Sequence, residues 1–134
     1  MKKLTIVAAL SFIVCAPLAH ADSDTPACTP LVHVVQVCGR NLLSVEENIP
    51  GAGTPEDIEN LKTLIGPTGV SGSIRAGVLA HGAAATNAHC ADPSLRISTV
   101  QGSEGTAAAI RMMGGDASPC LAAVGELQNG TSVQ

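Results

Sequence analysis

A chain with no aromatic side chains must build its core from aliphatic residues, alanine and sulfur, and almost all of this one is in that position. Its single Phe is Phe12, and it has no Tyr or Trp. Phe12 itself falls in a segment with the pattern of a secretory leader. Met1, Lys2 and Lys3 form a short basic start, Leu4 to Leu18 carries no charge, and Ala19-His20-Ala21 is the small-x-small pattern that precedes cleavage. The expectation is a signal peptide over 1–21, cut after Ala21, with the mature protein in the periplasm or secreted. Cys15 follows Val14, where lipid-attachment signals prefer a small residue, so a soluble protein without a stable membrane anchor is expected.

What remains, residues 22–134, has the length of one domain. Leu, Ile and Val make up about a fifth of it, near the composition at which a packed core becomes hard to sustain. Ala and Gly supply much of the rest, and such small side chains bury little area each at ~25 cal/mol per Å². Cysteine is the expected compensation. Cys28, Cys38, Cys90 and Cys120 remain after Cys15 is removed, and an even count in a small exported domain reads as two disulfides. Each would contribute ~2–4 kcal/mol.

Charge and composition exclude several partners. Without Lys2 and Lys3, five cations (Arg40, Lys62, Arg75, Arg96, Arg111) face eleven carboxylates, and the five are scattered along the chain. No basic cluster is available for phosphates and no ring for stacking bases, so nucleic acid is not an expected partner. Ring stacking on sugars and aromatic cages for quaternary ammonium groups are excluded by the same absence.

Periodicity predicts a mostly α fold with one or two short strands, a small single domain over 28–130 stapled by two disulfides, preceded by a polar, disordered segment over 22–27. Thr29-Pro30 resembles a helix start, and Leu31, Val34, Val35, Cys38 and Leu42 follow at helical spacing, predicting a helix over about 30–43. The β-branched Val32, Val34, Val35 and Val37 leave a buried strand as the alternative. Residues 44–53 read as a loop. Thr54 as cap, Pro55 in the first position, Glu56 and Asp57 in the first turn and Gly66-Pro67 as terminator predict a helix over 55–65. Residues 70–91 alternate like a strand at first, but their alanine-rich continuation, with Ala76, Ala80, Ala84 and Ala88 four apart, favours a helix over about 72–90. Residues 95–100 (LRISTV) read as a short strand or extended loop. Short helices are expected over 106–113 and from Ser118, the latter with Cys120, Leu121, Val124 and Leu127 on one face.

The helix over 30–43 bears on the disulfides. Bridged Cα atoms lie within ~7 Å, whereas ten residues of helix advance ~15 Å. Cys28 then cannot reach Cys38, and both must bond to Cys90 and Cys120, in one of two pairings that spacing leaves open.

Candidate chemistry concentrates at His81, His89, Cys90 and Asp92. Metal sites on one helix place ligands three or four apart, while His81 and His89 are eight apart, ~12 Å along a helix and about 80° around it. A bonded Cys90 can act neither as nucleophile nor as thiolate ligand. Residues 66–73 (GPTGVSGS) lack the lysine of a phosphate-binding loop, although Arg75 follows, and they lack the closing glycine of a nucleophile elbow. Gly51-Ala52-Gly53 is an incomplete dinucleotide fingerprint. Glu46-Glu47 and Glu56-Asp57-Glu59 read as solvated or helix-start carboxylates, Met112-Met113 beside Ile110 as core filler and Asn129-Gly130-Thr131 as a frayed turn. No catalytic, cofactor-binding or metal-binding residue is assigned, and no cofactor is expected. The reading by elimination is a non-catalytic exported envelope protein that binds, inhibits or assists another protein. The alternatives are a small periplasmic metal binder using His81 and His89, or His33, and an enzyme with scattered residues.

Overall fold

A computed structural model describes residues 24–130, and among these it has six helices and no strand. The expected leader over 1–21 lies outside the described residues. The helices are α1 (Cys28–Asn48), α2 (Pro55–Ile65), α3 (Val70–His81), α4 (Ala83–Cys90), α5 (Pro93–Met112) and α6 (Ser118–Asn129). A mostly α domain with two disulfides is therefore what this sequence forms.

The core lies between α1, α5 and α6. α1 buries Leu31, Val34, Cys38 and Val45, α5 buries Val100, Ser103, Ala107 and Ile110, and α6 buries Cys120, Ala123, Val124 and Leu127. Steps of three and four put each set on one face. Ile110 and Leu127 are the largest side chains fully out of water, each stabilising the fold by roughly 1.5–3 kcal/mol. α2 and α3 bury no residue completely, so they form an outer layer on α1.

Several element boundaries differ from the sequence expectation. α1 starts at Cys28 and continues through Ser44 to Asn48, because Val45 and Glu46 extend its buried face beyond Leu42. Helical packing overrides the β preference of its four valines. The expected helix over 72–90 is two helices. Gly82, at φ +91°, leaves the right-handed region and separates α3 from α4, a conformation that residues with a Cβ adopt only under strain.

The expected strand or extended loop over 95–100 is a correction. These residues lie inside α5, and the helix expected over 106–113 is the second half of the same element. Asp92 caps it, its Oδ1 accepting from the Ser94 N–H at 2.9 Å, and Pro93 occupies the first turn. Ser103, buried where an apolar residue would have marked the stripe, and Gly102 and Gly105 hide the period. The α2 start forms as expected: Thr54 Oγ1 accepts from Asp57 N–H at 3.1 Å, and Asp57 Oδ2 accepts from Thr54 N–H at 3.2 Å.

The disulfides join Cys28 to Cys90 and Cys38 to Cys120, with Cα separations of 4.9 and 4.3 Å. The neighbour pairing that a helical α1 rules out is absent. One bond ties the start of α1 to the end of α4, and the other ties its middle to α6. Of the segment expected to be disordered, residues 24–27 are described. Thr25 is buried, and the Ala27 N–H donates to Asn87 Oδ1 at 2.8 Å.

Candidate functional site

Among the described residues, a half-open groove of about 610 Å³ opens on one side of the bundle. Four helices build it. α1 contributes Leu31, Val32 and Val35. α3 contributes Val70, Ser73, Ile74, Gly77 and His81. α4 contributes Ala85, Thr86, His89 and Cys90, and α5 contributes Leu95 and Thr99. The Cys28–Cys90 bond fixes α4 against α1 at one end, with Cys90 in the lining. The break at Gly82 redirects the chain so that His81 and His89, eight apart in sequence, face the same groove from two helices.

The polar groups of the groove are few, and most are already engaged. Ser73 Oγ donates to Gly69 O at 3.2 Å, Thr86 Oγ1 to Gly82 O at 2.9 Å and Thr99 Oγ1 to Leu95 O at 2.8 Å. Each hydroxyl has turned its proton back to the carbonyl one helical turn earlier, leaving only lone pairs to offer. The groove has no Lys, Arg, Asp or Glu in its lining. Both histidines are exposed, at the rim.

Asp92, next to the end of α4, lies close enough to His89 to interact with its charge. Its carboxyl is held below the usual range chiefly by the Ser94 backbone and side-chain hydrogen bonds, and to a lesser degree by His89. Asp116 is held low in the same way by Ser118. Among the described residues, no three His, Cys, Asp or Glu side chains group so as to hold a metal ion. His33 lies on α1 outside the groove lining. Arg75 is occupied by the loop before α3, its guanidinium donating to Pro67 O. Met112 is exposed, while Met113 packs on the core and Ile110 lies within it, so these three share no surface patch.

Glu46 is more deeply placed than a loop carboxylate. It is 8 % exposed, and among the described residues its Oε2 has no hydrogen-bond partner. The loop after α1 passes over it so closely that a Cβ on Gly53 would fall 2.7–2.8 Å from the Glu46 side chain. Burial raises its carboxyl above the usual range, and the charge of Asp57 adds to the effect.

Two asparagines that sequence reasoning passed over hold the disulfide-linked ends. Asn41, one turn after Cys38, donates to Asp116 O at 2.9 Å and accepts from Cys120 N–H at 3.1 Å. Asn87, one turn before Cys90, accepts from Ala27 N–H next to Cys28. Neither α1 nor α6 has a side-chain cap of its own. The only sequence signal was an Asn three residues from a Cys.

Comparison with family models, with characterised proteins and with solved structures finds no match to this chain.

Proposed function

We propose that this chain is an exported, non-catalytic binding protein whose binding site is the groove between α1, α3, α4 and α5, and that its ligand is a small, largely apolar molecule. The groove carries this reading. Its volume of about 610 Å³ falls within the ~300–1,000 Å³ of small-molecule sites, which combine apolar walls with a few polar groups. Export is supported by the two disulfides, which persist in oxidising compartments, and by the leader pattern over 1–21. Cys90, the one cysteine beside a histidine in the lining, is bonded to Cys28 and has no thiolate to offer. No described helix is long and apolar enough to cross a membrane.

The test is titration of the oxidised protein with N-phenyl-1-naphthylamine, a neutral dye that fluoresces in apolar surroundings. Saturable binding at one site, weakened by Ile74→Asp in the groove wall and unaffected by Leu79→Asp outside it, is expected. Absence of saturable binding overturns the reading.

A second reading, recognition of another protein, is supported by Leu79, an apolar side chain 89 % exposed on α3. Loss of a captured envelope protein on Leu79→Asp, with capture intact on Ile74→Asp, would favour it.

A further inference from the structure

The groove also restricts the polar end of what it can hold. Its three hydroxyls have spent their protons on backbone carbonyls, so among the side chains of the lining the donors left for a ligand's acceptor are the imidazole N–H groups. The two imidazoles are the only ionisable groups that line it. A cationic head would find neither a carboxylate in the lining nor an aromatic face, since the described chain has no Phe, Tyr or Trp. A ligand with donors alone would find only hydroxyl lone pairs or an imidazole nitrogen. A head that accepts hydrogen bonds and carries negative charge finds the donors, and finds them at the rim, where it can remain hydrated. Asp92, near His89, is not part of the lining, and its Oδ1 already accepts from both Ser94 groups.

Resting on the groove as the binding site, we propose that its ligand is a single-chain carboxylic acid. The tail lies against Leu31, Val35, Ile74 and Leu95, and the carboxylate is held at the rim by His81 and His89. Water is excluded from the tail alone, so the interaction combines non-directional burial along the groove with charge-assisted hydrogen bonds at one end.

Displacement of N-phenyl-1-naphthylamine separates this proposal from the reading it rests on. Dodecanoic acid, dodecan-1-ol and dodecyltrimethylammonium, each below its micelle concentration, compete against the dye on the oxidised full chain, on His81→Ala, His89→Ala and on the double variant. The acid is expected to bind the native protein roughly tenfold more tightly than the alcohol, and the ammonium more weakly than either. The double variant should lose that advantage, the ratio of acid to alcohol affinity falling to about one whatever the change in dye affinity. Octanoic and decanoic acids should bind progressively more weakly, by about fourfold per methylene removed. If the dye binds no form of the protein, the groove reading fails and this inference with it. If the dye binds but acid and alcohol compete equally, or the double variant retains the acid's advantage, the head assignment is overturned and the groove stands. Tighter binding of the ammonium overturns it as well.

Discussion

Asn41 accepts the backbone N–H of Cys120 at 3.1 Å, one helical turn along α1 from Cys38, the residue whose sulfur is bonded to Cys120. The contact supplies what α6 lacks at its start. Ala117 offers no side-chain cap, Asp116 Oδ1 takes the Ser118 N–H at 2.9 Å, Pro119 has no N–H, and Asn41 takes the next donor. The same side chain donates to Asp116 O, so one carboxamide fixes both the entry and the first turn of the helix.

Asn41→Ala is expected to lower stability by about 1–2 kcal/mol, the range of a lost helix cap with its neighbouring acceptor left unpaired. Asn41→Asp keeps the acceptor for Cys120 N–H but sets a carboxylate against Asp116 O, so it should rescue little. Urea denaturation of the oxidised protein measures both. Equal stability of Asn41→Ala and the native protein would show that the disulfide alone positions α6.

Non-reducing peptide mapping should recover Cys28 with Cys90 and Cys38 with Cys120. Replacing Cys38 and Cys120 by Ala should cost ~2–4 kcal/mol, because the loop released spans 82 residues and the aliphatic core is thin. Thermal melts of the variant and of reduced native protein measure the loss. An unchanged midpoint after verified reduction would mean that α1, α5 and α6 hold together without sulfur.

Glu46 gives the stability a defined pH dependence. Burial first, and the Asp57 charge second, hold its carboxyl above the ordinary value. A group raised in this way binds its proton more tightly folded than unfolded. Its stabilising contribution is complete below the unfolded value and is lost as pH rises through the folded one. Asp92 and Asp116, held low, contribute with the opposite sign and lose their contribution as pH falls. The difference between Glu46→Gln and the native protein isolates the first effect. The variant should gain on the native protein as pH rises from about 4 to 7.5, measured by urea denaturation. A gap that stays constant across that range would place Glu46 in water.

Where local chemistry determines an element, the sequence is enough to find it. Thr54, Pro55 and Asp57 specify the start of α2 within four residues, and α1 follows from Leu31, Val34 and Cys38 at helical steps. The helical α1 in turn excludes a Cys28–Cys38 bond, although nothing in spacing chooses between the two crossed pairings. α5 is obscured because its buried face includes Ser103 and Ala107, residues whose type does not announce burial. The groove is harder still. Its walls run from Leu31 to Thr99 across four helices, and His81 and His89 share it only because Gly82 breaks what alanine content presents as one helix. The side chains of Asn41 and Asn87 act across 79 and 60 residues of sequence, with no local pattern to mark them.

The most direct measurement is NMR of uniformly labelled oxidised protein titrated with dodecanoic acid, with intermolecular NOEs collected at saturation. NOEs from the ligand methylenes to the methyl groups of Leu31, Val35, Ile74 and Leu95, with shift changes at the His81 and His89 rings, are expected. Shift changes confined to the exposed face of α3 around Leu79, or none at saturating acid, would contradict a binding site in the groove.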